Sequence, residues 1–431
     1  MSPIRPEVEL IGTRLDPEHH RLRDFLTRIA QPHRWLEAGS PEAQALLERL
    51  GLAHAHLPVL VEHEGRAMTA VTVESLATAW GHVAHPRKAH YDVAIIGAGP
   101  AGLAAAVYAA SDGLSTLVIE RDVPGGQASH TSLIENFFGF PDGIGGAELA
   151  RKAGRQAERF GAELLLLRAL EGAETSADRP TRLRVQGGDE VTATVLIGAP
   201  GMEWRRLEVE GIDELLDRGV YYGAGRSEAA QCSGDDVVVV GAGNAAGQAV
   251  LNFANAGARV CMVVRGERLG KSMSAYLVER IQRHPLIDVR LGTRIEALHA
   301  REECLAGVTT VDAGGERREQ PARALFLCIG GVPRTRWAAA RDGVRLDAAG
   351  YVLTGPDLLD RGERPEGWPL DRDPLPLETG VPGVFVAGDV RHGSTKRVAG
   401  AVGEGAMAVA LAHRRLEELM AESDVSSAHA V

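Results

Sequence analysis

Cysteine is scarce and nowhere paired. Cys232, Cys261, Cys304 and Cys328 are the only four, none belongs to a CxxC, and residues 1–231 hold none at all. That pattern supports neither a disulfide framework nor a zinc site. Four reduced, mostly buried thiols in a cytoplasmic protein are expected. Long apolar runs are missing too, since the longest are strand-length and fall far short of a membrane span. Met1-Ser2-Pro3-Ile4-Arg5-Pro6 has no apolar core leading to a small-residue cleavage site, so no secretory signal is expected. Positive charge is in deficit: the formal net charge is −11. Such a balance favours solubility and argues against a nucleic-acid or anionic-membrane partner.

What remains is a soluble-protein composition, 45% hydrophobic and 24% charged, in 431 residues, a length suited to two or three domains. Residues 8–81 alternate as strand and helix. Val8-Glu9-Leu10-Ile11 reads as a strand and His20 to Ala30 as an amphipathic helix. A second strand lies around His33-Arg34-Trp35-Leu36, followed by a helix opened by Ser40-Pro41-Glu42, a cap with proline in the first turn. Leu57-Pro58-Val59-Leu60-Val61 is the next strand, Glu64-Gly65 a turn, and Thr72 to Leu76 the start of a last helix. This order resembles a glutaredoxin or thioredoxin fold, with Pro58 where that fold keeps a cis-proline. The resemblance would place a CxxC near Asp16-Pro17, yet no thiol is there to attack a disulfide. A docking or scaffolding module is therefore expected over 1–81. Residues 82–90 are polar and broken by Pro86, as a linker is, and His82, His85 and His90 read as solvated rather than metal-binding.

Two glycine fingerprints follow, 144 positions apart (Gly97 to Gly241). In the first, the apolar run Tyr91 to Ile96 leads into Gly97-Ala98-Gly99-Pro100-Ala101-Gly102 and then a helix. Gly97 permits the tight turn, Gly99 lets a pyrophosphate approach the backbone, and Gly102 lets helix and strand pack closely. The helix start offers free N–H groups to phosphate, and the next strand ends in Glu120, an acceptor for ribose hydroxyls. In the second, Val237 to Val240 precede Gly241-Ala242-Gly243-Asn244-Ala245-Ala246, and the following strand ends in Arg265, with Arg268 and Lys271 nearby. Guanidinium groups there would bind a 2′-phosphate, so NADPH is preferred, with NADH still open.

From Tyr91 to about Leu419 the chain resembles a low-molecular-weight thioredoxin reductase, a class II pyridine nucleotide-disulfide oxidoreductase. The matching segments are Gly125-Gly126-Gln127, Ile134-Glu135-Asn136-Phe137, Ala199-Pro200-Gly201, Ile329-Gly330, Gly383 to Val390 and Gly403-Glu404-Gly405. The resemblance implies an α/β architecture of two Rossmann-like three-layer domains. One would bind FAD (91–206 and 326–431) and the other, inserted at 207–325, would bind NAD(P)H. It implies hinges near 206–210 and 322–326 and a homodimer. By the same resemblance FAD would lie against Gly97, Gly99, Pro100, Ala101, Gly102, Glu120, Arg121, Gly126, Gln127, Asn136, Ala199, Gly201, Gly388 and Asp389. Lys396, Arg397 and a helix starting at Val398 would face the flavin's N1–C2=O2 edge. NADPH would lie against Gly241, Gly243, Asn244, Ala245, Ala246, Arg265, Arg268, Ile329 and Gly330.

One departure decides the chemistry expected. Where the resembled family carries its redox cysteines, this chain reads Gly223-Ala224-Gly225-Arg226, so glycine and arginine stand at the two cysteine positions. Tyr221, Tyr222, Gly223 and Arg226 are then candidates to line a pocket for a planar or anionic acceptor, unless the glycines merely form a turn. An NADPH-oxidising flavoenzyme with a non-disulfide acceptor is expected. A thioredoxin-reductase-type relay through a partner and a low-turnover flavin-binding sensor are the alternatives. The segment Gly355 to Pro376 is longer than the family's connection and is expected either to cover the acceptor site, to pack on the N-terminal domain, or to be exposed filler.

Overall fold

Asp16 begins the first helix: its carboxylate accepts from the amides of Glu18 and His19, and Pro17 supplies the fixed φ of a first helical turn. The helix therefore starts three residues before the apolar periodicity does. The computed structural model describes residues 6–82, 85–176, 179–223, 228–271, 273–338 and 343–429. In the N-terminal domain these form β1 (Val8–Gly12), α1 (Pro17–Arg28), β2 (His33–Glu37), α2 (Pro41–Arg49), β3 (Val59–Val61), β4 (Ala67–Thr69) and α3 (Val73–Ala79). The sheet order is β2-β1-β3-β4, with β1 parallel to β2 and antiparallel to β3, and the Leu57–Pro58 peptide is cis. Leu10, Leu22, Leu26, Leu60 and Leu76 fill its core completely buried.

The stretch after it is tied down more firmly than a solvated linker. His85 lies 2.8 Å from Asp189, and β5 (His90–Ile96) already includes His90, whose ring bonds Thr192 and Thr194.

The next sheet takes in β5, β6 (Thr116–Ile119), β7 (Glu163–Leu165), β8 (Leu170–Glu174), β9 (Thr181–Val185) and β10 (Asp189–Gly198). Helices α4 (Pro100–Ser111) and α5 (Gly146–Arg159) are its crossovers. Strands β7-β6-β5-β10 run parallel, and all four residues of β6 are buried, the mark of a sheet covered on both faces. A short strand β11 (Met202–Trp204) then leads to the second α/β unit. Its five-stranded parallel sheet has the order β12-β19-β13-β14-β15. The strands are β12 (Val220–Tyr222), β13 (Asp236–Val240), β14 (Arg259–Val263), β15 (Ile287–Arg290) and β19 (Ala324–Leu327), with α6 (Asn244–Asn255) and α7 (Ala275–Arg283) packed on them. An antiparallel sheet of β16 (Arg294–Arg301), β17 (Cys304–Val311) and β18 (Arg317–Pro321) sits between β15 and β19.

The chain returns through β20 (Gly331–Pro333), which pairs antiparallel with β11. An expected boundary at 325/326 cuts β19 in two. That strand hydrogen-bonds to β12 and β13 along its whole length, so the crossing lies at β20. Finally β21 (Val384–Val386) pairs parallel with the C-terminal half of β10, and α8 (Val398–His429) packs along α4. A Cβ at Gly405 would collide with the Ala101 carbonyl, which is why α8 approaches α4 at a glycine. No helix among the described residues is long and apolar enough to cross a membrane.

Candidate active site

The first cradle forms where β5 turns into α4. Gly97 has φ +104°, and a Cβ there would collide with the Ala199 carbonyl oxygen. A Cβ at Gly102 would strike the Gly97 carbonyl, whereas one at Gly99 would meet nothing within 4 Å. Gly97 and Gly102 are therefore packing glycines, and Gly99 is the one that leaves room in front of the helix. Gly99 caps α4 with no side-chain hydrogen bond, and Pro100 has no N–H to give, so the amides of Ala101 and Gly102 stand unclaimed by a cap.

The double-glycine turn Gly125-Gly126, both at positive φ, folds back on this mouth, with Gly125 N–H donating to the Ala98 carbonyl at 2.7 Å. Gln127 Nε2 donates to the Met202 carbonyl, bringing the Gly126-Gln127 turn up to the Ala199-Pro200-Gly201 segment. Glu120 is buried and accepts from the amides of Ala98 (2.7 Å) and Asp122 (2.9 Å). Burial raises its pKa, although both amide hydrogen bonds oppose the rise. Arg121 is exposed at the strand end, and Asn136 is exposed on a loop.

On the far side, Gly388 has φ +82°, a Cβ there would come within 3.0 Å of the Ala101 Cβ, and its amide donates to Glu404 of α8 at 2.7 Å. Glu404 also takes a hydrogen bond from Arg391 at 2.7 Å, so one carboxylate fixes the Gly388-Asp389 turn to the helix. Asp389 is held above its ordinary pKa by burial. The Lys396 ammonium is held by its own loop. Nζ donates to the carbonyls of Asp389 (2.6 Å) and Arg391 (3.3 Å) and to Ser394 Oγ, and lies 4.3 Å from the Tyr351 ring centre. A flexible ammonium takes the nearest acceptors, here those of its own loop. Arg397 precedes α8, which starts at Val398 as expected.

The second cradle repeats the first. Gly241 has positive φ, and a Cβ there would collide with the Cys328 carbonyl, just as Gly97 faces Ala199. Gly243 is open and caps α6 without a side-chain bond, leaving the amides of Asn244, Ala245 and Ala246 at the mouth. The Asn244 side chain is already engaged, donating to Ser274 Oγ at 3.0 Å and accepting from the Ser274 amide at 2.8 Å. Arg265 and Arg268 are exposed beyond β14. Ile329 and Gly330 follow β19 into the return crossing, where the Gly330 carbonyl accepts from Arg205 N–H at 3.0 Å.

Residues 91–405 match the family described as pyridine nucleotide-disulphide oxidoreductase. The chain is 33% identical to the thioredoxin reductase of Bacillus subtilis over 333 residues, covering 76% of this chain and 96% of that one. The chain belongs to the pyridine nucleotide-disulphide oxidoreductase family. Of solved structures, the Lactococcus lactis thioredoxin reductase in its FR conformation is similar at TM-score 0.66 and 28% identity, covering 76% of this chain and 99% of that one. A T. acidophilum thioredoxin reductase is similar at TM-score 0.65 and 26% identity, over 75% and 98%. The chain is accordingly an oxidoreductase of thioredoxin-reductase-like fold that uses FAD and NAD(P)H.

The residues present fit these nucleotides. Besides the two open glycines, Arg334 Nε is buried with no hydrogen-bond partner among the described residues, beside Glu120 and Arg121. Burial and then the charge of Arg121 lower its pKa. Such a guanidinium invites an anion. Nothing in the motifs singled out Arg334, because its neighbours come from β6, far away in sequence.

Gly223 stands where the resemblance puts the family's first redox cysteine. Gly223 is buried with φ +100°, and a Cβ there would lie 3.2 Å from the Trp204 ring and 3.7 Å from His130 Cβ. Trp204 takes up the space in front of Gly223. Arg226, with Ala224 and Gly225, lies outside the described residues. Tyr221 and Tyr222 do line a cavity of about 250 Å³, together with Ser129, His130 and residues of α1. Burial lowers the pKa of His130 and keeps its ring neutral. Cys232 is buried, its thiol pushed up to about 11 by burial. Cys328 is buried against the Gly223 carbonyl and pushed up to about 12. Neither is a thiolate at neutral pH.

No residue of the loop after Gly355 is among those that line this cavity. The loop's Arg372 pairs with Glu378 and with Glu418 of α8, both at 2.7 Å, and lies over the Trp368 ring, so the segment is anchored on the opposite helix.

Proposed function

We propose that this enzyme takes reducing equivalents from NADPH into FAD and delivers them to an acceptor other than a protein disulfide. The observation that carries this reading is the Gly223 site. Where a resolving or interchange thiol would stand there is a glycine wedged against Trp204, and the nearest thiols are buried and protonated. FAD, when bound, supplies hydride acceptance and onward electron transfer. The protein's part is to hold and orient. The amides at the start of α4 and the Glu120 carboxylate would hold the adenosine diphosphate of FAD, and the Gly388-Asp389 turn, pinned by Glu404, its ribityl side. The amides starting α6, with Arg265 and Arg268, would hold NADPH. His130 and Tyr222 are among the polar groups that a small acceptor would meet in this cavity, with the neutral His130 ring able to donate a hydrogen bond through one nitrogen and accept through the other.

Anaerobic mixing with NADPH tests the first half: the visible flavin band should bleach rapidly, more slowly with NADH. Reoxidation then tests the second. A quinone or molecular oxygen should restore the band over many turnovers, whereas thioredoxin with DTNB should give negligible turnover. Sustained DTNB reduction by a chain whose four cysteines are replaced would be irrelevant to thiols; sustained reduction that vanishes with Cys232→Ser would refute the reading.

A further inference from the structure

Among the described residues the chain passes between the two nucleotide-binding domains at β11 and β20, which pair as a single three-residue ladder. A neck that narrow leaves the domains free to swing. Side-chain bridges near α6 and α7, Gln248 to the Leu133 carbonyl and Arg280 to Glu135, are exposed and solvent-screened. On the other side lies α1. Its residues 20, 23, 24 and 28 share one face. At one end His20 bonds Glu228 at 2.9 Å and Asp217 at 3.0 Å, and Arg23 reaches Glu228 at 3.4 Å. Just before the helix, Arg14 pairs with Asp235 at 2.8 Å. All of those acids belong to the second nucleotide-binding domain. At the other end Arg28 binds Asp122 at 2.9 Å and Ser129 Oγ at 3.0 Å, and Asp24 lies 3.9 Å from His130, all in the first. Val123 of the first domain is buried in the N-terminal domain's own core.

We propose that the N-terminal domain is a latch: α1 lies across the seam between the two nucleotide-binding domains and holds them in one relative orientation. His20, Arg23 and Glu228 are all buried where the domains meet, so the second domain cannot move off α1 without breaking these ion pairs and opening a packed interface to water. Nor can α1 follow it, because Arg28 and Val123 bind it to the first domain. The thioredoxin-like module has thus become a brace lying over the segment that precedes the second fingerprint. This inference is independent of the acceptor's identity, and its test reads a distance rather than turnover.

Spin labels carried by unnatural amino acids at exposed Arg155 of α5 and Gln282 of α7 report the separation of the two domains in the full-length holoenzyme. The native chain should give one narrow distance with or without NADPH. Arg28→Glu should add a second distance in about a tenth of the molecules or more, and Arg28→Glu with Asp122→Arg should restore the single one. Glu228→Gln, which leaves the N-terminal domain's own residues untouched, should also add the second distance. Two distances in the native chain, or one unchanged distance in both Arg28→Glu and Glu228→Gln, would overturn the latch.

Discussion

At Gly97 and Gly99 two substitutions of the same size should fail in different ways. Gly97→Ala forces a side chain into a positive-φ backbone against the Ala199 carbonyl, so it should cost on the order of 1–3 kcal/mol in stability and lose FAD as well. Gly99→Ala meets no protein atom, so thermal unfolding of the apoprotein should match the native apoprotein while flavin absorbance per mole of protein falls. A Gly99→Ala protein that retains full flavin would remove Gly99 from the cradle. Arg265 makes a similar point about the second cofactor. If its guanidinium recognises a 2′-phosphate, Arg265→Ala should raise KM for NADPH about tenfold, the loss of one charge-assisted hydrogen bond, and leave KM for NADH unchanged. The tight turn at Gly97 and the close packing at Gly102 were legible in the sequence because a glycine's role depends on the few residues around it. The partners of Lys396 were not, since its acceptors become visible only once the Gly388–Ser394 turn is folded.

Elements show where sequence reading stops. The histidine at position 20 looks like one more polar residue of an amphipathic helix, yet its partners lie 197 and 208 residues away at Asp217 and Glu228. No local pattern encodes that meeting. Burial disfavours the charged ring, but the hydrogen bonds it donates to both carboxylates outweigh that and hold the pKa at about 9. The unfolded value is about 6.5, so the charged His20 stabilises the fold fully below that pH and loses the contribution as pH rises toward 9. The effect should reach about 3 kcal/mol. Unfolding temperature should therefore fall between pH 6.5 and 9 in the native chain and fall less in His20→Gln. The loop after Gly355 left three readings open in the sequence, and none of them named its anchor: Arg372 answers the wholly buried Glu378 carboxylate. Arg372→Met should cost about 3–5 kcal/mol by leaving that charge unpaired, a loss to be read in chemical denaturation. Its expected lack of effect on NADPH oxidation at permissive temperature would separate the loop from the cavity.

At the scale of the whole molecule the double fingerprint and the α/β class could be read directly, because each fingerprint needs its own strand and helix. How the two nucleotide-binding domains and the N-terminal domain meet could not, as that depends on ion pairs between distant segments and on where β19 finds its neighbours. The absence of a cysteine pair has a consequence for the molecule as a whole: replacing Cys232, Cys261 and Cys304 by serine and Cys328 by alanine should leave steady-state NADPH oxidation with a small acceptor within about twofold, since surface or conservative core changes are small perturbations. A rate that collapses in this variant, with its fold and flavin retained, would show that sulfur carries electrons after all.

The pairing of β21 with β10, and of α8 with α4, also dictates an order of assembly. On the ribosome the second nucleotide-binding domain, continuous in sequence, has all five strands of its parallel sheet once Leu327 has emerged. The first must wait for a strand and a helix encoded almost at the end of the message. A nascent chain halted before Val384 would therefore carry a completed dinucleotide fold and an unfinished one, and flavin would be captured only after translation had nearly ended.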